Sequence, residues 1–249
     1  ARGLVSPSMK EIARNIASKA SSLIAVSPSL CGTLHDVLGD DLNWQYLPNL
    51  LPAHFESDSY TERLIENKKE SFVFCNISML AKNKNIDLLI RAFCKQFKGD
   101  ENVQLKIGGT GPEYGKLKLL VQELKVERQV KLLGHLSRKE AKELMDKSDS
   151  YVLSSAFETF GVTLIEFMSL GKPVIATKCG GPEGIVEQGV NGYLIESNSI
   201  ESLSFAMQKM IDNYIGFDKK SIYKGCISKY GKQEFTSRYK SLFQLALND

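Results

Sequence analysis

Two carboxylates, Glu158 and Glu166, stand with seven residues between them in the run YVLSSAFETFGVTLIEFMSLGKPVI, residues 151–175. The run reads as strand, polar turn, short helix and next strand. Tyr151 to Leu153 are a short apolar stretch, Ser154 to Thr159 suit a turn, and Gly161 permits a tight entry into a helix starting near Val162. Gly171 stands where a helix C-terminus takes a left-handed residue, and Pro173 stops the helix from continuing.

At about 100° per residue, Leu164, Ile165, Phe167 and Met168 fill one arc of that helix and Glu166 points the other way. An exposed glutamate on an amphipathic helix gives the same pattern. The residues four before and four after Glu166 are Val162 and Leu170, however, so its own face is also apolar. A carboxylate there is costly unless something hydrogen-bonds it, and the vicinal hydroxyls of a ribose or hexose are one such partner. The free N–H groups of Gly161, Val162 and Thr163 at the helix start favour a phosphate. A carboxylate for sugar hydroxyls beside an anion site describes a sugar-nucleotide pocket. Two glutamates also suit a glycosidase acid and nucleophile, but a helix-end anion site has no use in simple hydrolysis.

From Ser71 onward, strands and helices alternate, which implies a doubly wound parallel sheet of Rossmann-like α/β type. Six strands are expected: 72–77, 103–107, 130–133, 151–153, 174–176 and 193–195. Ligands of such sheets sit beyond the carboxyl ends of the strands, and every candidate site residue follows a strand. Ile86, Leu89, Ile90, Phe93 and Phe97 recur at helical spacing as a core stripe, and Ser137 with Glu140 forms a capping-box pattern for a helix to about Lys147. In SMLAKNKN, Lys82 and Lys84 precede a helix. Gly108, Gly109 and Gly111 read as a close-approach turn, the dinucleotide fingerprint being incomplete. Gly180, Gly181 and Pro182 open another sheet-end loop, with Glu183 and Glu187 read as solvated.

The motifs Glu158-x7-Glu166 within SSAFETFGVTLIEFMSLGKPVIAT, SFVFCNISMLAKNKNIDLLIRAF, VQLKIGGTGP, VKLLGHL and CGGPEGIVEQGVNGYLI resemble retaining glycosyltransferases of the GT-B fold, family 4 in particular. The resemblance runs from about residue 22 to residue 245 and implies transfer of a sugar from a nucleoside diphosphate sugar to an acceptor hydroxyl. It implies that Glu166 binds the ribose diol and Glu158 the hydroxyls of the transferred hexose, as the catalytic-site carboxylates. Lys84, Gly109 and the stretch Phe160, Gly161, Val162 and Thr163 would hold the diphosphate, and His135 and Leu136 would meet the nucleobase. Taken from the residues alone, the ring of His135 belongs to a surface loop. Met79 stands where the family usually carries an arginine, about five residues before the lysine. No metal and no cofactor are expected, the helix start and lysine sufficing for the leaving group. Two other activities stay open: a GT-B sugar-nucleotide epimerase and a non-catalytic sugar-nucleotide-binding subunit.

The resemblance also divides the chain. Residues 1–50 correspond to a remnant of the N-terminal, acceptor-side domain, 51–70 to a linker, 71–215 to the nucleotide-sugar-binding domain, and 216–249 to helices crossing back toward the N-terminal domain. This makes the 249-residue chain the donor-binding half of a longer enzyme, the acceptor glycan or glycolipid being engaged through the other half. Phe235, Tyr239 and Phe243 form a stripe for that crossing contact, so an exposed apolar patch is expected near the C-terminus.

The bulk properties fit. With 43% hydrophobic and 24% charged residues, the chain has the composition of a globular protein with an ample core. A net charge of +3, spread along the chain, gives no sign of nucleic acid as a partner, while a membrane-adjacent surface stays open. Five widely spaced cysteines read as free thiols of a reducing compartment, with Cys75 in the core. No apolar run approaches the ~18 residues of a membrane span. The expected address is cytoplasmic, with the full enzyme at most peripheral to a membrane's inner face and engaged in polysaccharide biosynthesis.

Overall fold

The structure, a computed structural model, describes residues 6–56, 71–196 and 198–248, with side chains to residue 244. Residues 57–70 of the expected linker lie outside the described residues. The leading segment comprises α1 (Pro7–Ala17), β1 (Leu23–Ala25), α2 (Pro28–Leu38) and β2 (Trp44–Tyr46). Ser6 and Ser27 cap the two helices by accepting from the N–H groups of Met9 and Leu30, each followed by proline at the first helical position. The strands β1 and β2 pair with each other in parallel, apart from the main sheet, over a small core of Ala17, Leu38 and Leu42.

The main sheet holds β3 (Phe72–Ile77), β4 (Val103–Gly108), β5 (Val130–Gly134), β6 (Ser150–Leu153), β7 (Val174–Thr177) and β8 (Gly192–Ile195). All neighbours are parallel, in the order β5-β4-β3-β6-β7-β8. Every expected strand is present within one residue of its bounds. Helices α3 (Ile86–Phe97), α4 (Tyr114–Glu123), α5 (Arg138–Lys147), α6 (Val162–Met168) and α7 (Ile200–Asn213) alternate with the strands. Strands β6 and β7 are buried at every residue, as strands covered on both faces must be. Ser137 and Glu140 form the expected reciprocal capping box on α5.

The strand order defines where a ligand belongs. From β3 the chain winds outward through β4 to β5, then returns to β6 on the other side of β3 and winds outward again. The reversal between β3 and β6 opens a crevice at their carboxyl ends. Their ladder spans only Phe74 opposite Ser150 and Cys75 opposite Tyr151. Beyond it, side chains hold the strands: Asn76 donates to the Val152 carbonyl at 2.8 Å and the Tyr151 hydroxyl to the Ile77 carbonyl at 3.1 Å.

After α7 a short 3-10 turn at Tyr214–Gly216 leads to α8 (Lys219–Tyr230) and α9 (Lys232–Asn248). Leu203, Ala206, Met207 and Met210 are buried along one face of α7. Phe235, Tyr239 and Phe243 stack in register along α9 at 6.3 Å spacing, with Tyr239 48% and Phe243 55% exposed, which is the expected apolar patch. Among the described residues no helix is long and apolar enough to cross a membrane. All five cysteines are free, and burial pushes the thiols of Cys75 and Cys226 up to about 12.

Candidate functional site

Lys84 and Glu158 reach the switch point from opposite sides. After β3 the chain makes a 3-10 turn, Lys82–Lys84, which ends on Asn85 in the left-handed region at φ 50° and enters α3. After β6 it crosses toward β7 as an extended segment. The two loops are stitched together: Ala156 N–H donates to the Asn83 carbonyl and the Ser154 hydroxyl to the Lys84 carbonyl, both at 2.8 Å. Lys84 Nζ then lies 2.5 Å from Glu158 Oε1, each side chain 19% exposed, and the Ser155 hydroxyl donates to the same oxygen at 2.8 Å.

A third loop, after β7, braces Glu158 from behind. Glu158 N–H donates to the Cys179 carbonyl and Gly181 N–H to the Glu158 carbonyl, at 2.9 and 2.8 Å. The approach needs glycine: a Cβ on Gly181 would lie 2.2 Å from the Phe160 carbonyl oxygen. Glu183, read from the sequence as solvated, has a structural task instead. Its carboxylate accepts from the N–H groups of Cys179 and Gly180 at 2.9–3.2 Å and closes the loop. Glu187 pairs with Lys229 at 2.6 Å.

Helix α6 starts where its sequence indicates. Gly161 takes φ 114°, and no side chain caps the first turn. Leu164, Ile165, Phe167 and Met168 are buried, and Gly171, at φ 71°, ends the turn by donating to the Met168 carbonyl. Glu166 is half-buried, and burial alone raises its carboxyl above the usual glutamate range. Among the described residues its carboxylate has neither a hydrogen-bond partner nor a counter-ion. Phe160 enters the core, its ring edge-on to that of Tyr230 at 5.8 Å, so its side chain is not available to a ligand. Beneath the helix start, the buried Tyr151 hydroxyl donates to the Ile77 carbonyl at 3.1 Å, tying β6 to the end of β3.

The glycine loop after β4 makes the expected close approach. At Gly109, φ 126°, a Cβ would lie 1.9 Å from the Ser78 carbonyl oxygen. Leu136 packs over Gly108, so the loop after β5 joins the same end of the sheet, where His135 is exposed. Met79 is 64% exposed. Lys82 stays apart from Glu158, lining a separate cleft of about 170 Å³ with Asp87 and Glu113. Sequence reasoning missed Ser155, Tyr151 and Glu183. Only Ser155 carried a local signal, a hydroxyl three residues before the carboxylate it serves.

The doubly wound parallel sheet is of the kind found in GT-B glycosyltransferases. The chain matches the family described as Glycosyl transferases group 1 over residues 60–225 and belongs to it. It is 26% identical over 252 residues to N-acetyl-alpha-D-glucosaminyl L-malate synthase of Bacillus anthracis, covering 98% of this chain and 64% of that protein. It is 27% identical over 196 residues to poly(ribitol-phosphate) alpha-N-acetylglucosaminyltransferase of Staphylococcus aureus (strain COL), covering 77% and 36%. In fold it is similar to Anabaena Alr3699/HepE in complex with UDP, with a TM-score of 0.83 at 23% identity, covering 98% of this chain and 69% of that one. The chain thus spans less than two thirds of the length of these two curated relatives.

Proposed function

We propose that this chain is the donor-binding half of a retaining, family 4 glycosyltransferase that takes its sugar from a uridine diphosphate sugar. The observation that carries the proposal is the meeting of Lys84 and Glu158 across the switch point, together with a half-buried carboxylate at Glu166 that has no side-chain partner among the described residues. Glu166 binds the ribose diol, whose hydroxyls relieve a carboxylate that burial disfavours. Glu158 binds hydroxyls of the transferred hexose. Lys84, with the uncapped N–H groups of Gly161, Val162 and Thr163 and the backbone of Phe160 and Gly109, holds the diphosphate and stabilises its charge as the glycosidic bond breaks. His135 and Leu136 border the base. Fixed positive charge in a crevice can serve that leaving group without a metal.

The uracil base is supported by the UDP in the Anabaena neighbour, and the transferase class by the names of both curated relatives. The separate β1–β2 sheet and the exposed stripe of α9 support the division into an acceptor-side remnant before residue 51 and crossing helices after residue 215. An acceptor glycan or glycolipid is then met by the other domain, and the free cysteines suit a cytoplasmic setting. The test is to incubate the full protein with UDP-N-acetylglucosamine or UDP-glucose and acceptor, following UDP release and the product anomer by NMR. Acceptor-dependent release with the donor's anomeric configuration kept is the expected result. An inverted product refutes retention, and an epimerised donor without transfer refutes the transferase assignment.

A further inference from the structure

We infer that the Lys84–Glu158 ion pair makes the site select the sugar-bearing nucleotide over the free nucleotide left after transfer. This rests on the donor-site assignment above. In the unliganded protein the Lys84 ammonium is already committed, 2.5 Å from Glu158 Oε1 in a place where each side chain keeps 19% of its exposure. A diphosphate that recruits Lys84 draws the cation away from Glu158. The carboxylate is then left largely desolvated with the Ser155 hydroxyl alone, beside new negative charge. An ion left unpaired in that setting is strongly disfavoured.

A nucleoside diphosphate offers Glu158 nothing in return, because it has acceptors but no donors in the sugar position. A nucleotide sugar brings hydroxyl donors to the place Lys84 vacates. The hexose therefore contributes by replacing the ammonium as partner of Glu158, and its departure with the acceptor restores the conflict. Product nucleotide is expelled by the ion pair re-forming. The device needs no moving lid, only two groups that satisfy each other when the site is empty.

Two substitutions move this balance in opposite directions. Glu158→Gln leaves Lys84 free and removes the stranded charge, so UDP should bind at least about fivefold tighter, while UDP-N-acetylglucosamine and UDP-glucose lose their carboxylate partner and bind less tightly. Ser155→Ala removes the second donor to Glu158, so UDP should weaken severalfold more than either nucleotide sugar. Calorimetric titration of the protein and both variants with UDP and the two nucleotide sugars reads these ratios, with circular dichroism confirming the fold of each. Wild-type protein that binds all the ligands, together with Glu158→Gln that binds UDP no tighter than wild type, overturns the selection device and leaves the donor site standing. Wild-type protein that binds none of them refutes the donor site and the device with it.

Discussion

Replacing Tyr151 by phenylalanine should cost the protein stability without creating a cavity. The ring is 2% exposed and packs against Phe167 at 5.8 Å, contacts that phenylalanine keeps. What goes is the hydroxyl, which donates to the Ile77 carbonyl at 3.1 Å. A hydrogen bond of this kind contributes about 1 kcal/mol net, so losing it costs about 1 kcal/mol. For a chain of this length that lowers Tm by roughly 2–4 °C. Urea unfolding of wild type and Tyr151→Phe measures that loss. A variant as stable as wild type refutes the view that this hydroxyl joins β6 to β3 beyond their ladder.

Glu166→Gln should stabilise the unliganded protein at neutral pH. Burial raises this carboxyl in the folded state, so the folded protein holds the proton to higher pH than the unfolded chain. Wild-type stability therefore falls as pH rises from the ordinary glutamate value through the raised one, and Glu166→Gln loses that slope. Denaturation at pH 4 and pH 7.5 should show the variants converging at the lower pH, and a less stable Glu166→Gln at pH 7.5 contradicts the account. Gly181→Ala should destabilise by about 1–3 kcal/mol and abolish nucleotide binding. Its Cβ would meet the Phe160 carbonyl oxygen at 2.2 Å and Cα at 2.3 Å, backbone atoms without a rotamer to escape into. Gly32→Ala in α2, with nothing within 4 Å of the new methyl, is the control expected to be neutral or slightly stabilising in the same unfolding assay.

The sheet was legible because its strands are short apolar runs set between strongly periodic helices, as with Phe72–Ile77 ahead of the stripe Ile86, Leu89, Ile90 and Phe93. The start of α6 was legible from Gly161 and its end from Gly171, since left-handed backbone is a local property. Glu166 was legible from Val162 and Leu170, which place it on an apolar face of its own helix. The ion pair of Lys84 with Glu158 was not, because it joins residues 74 apart and depends on the strand order reversing between β3 and β6. Glu183 was misjudged for a related reason: an exposed glutamate on a loop looks solvated until the loop curls its own N–H groups onto the carboxylate. Tyr151 reads as one more core aromatic, and the use of its hydroxyl becomes visible only where β3 and β6 part company.

The most direct test of the donor site is calorimetric titration of the protein with UDP, GDP and ADP, repeated on Glu166→Ala. The account predicts saturable binding of UDP alone among the three. It also predicts at least a tenfold loss in the variant, since a hydrogen bond to a charged group contributes about 1.5–3 kcal/mol and about 1.4 kcal/mol is a factor of ten. UDP binding that survives Glu166→Ala undiminished would contradict it.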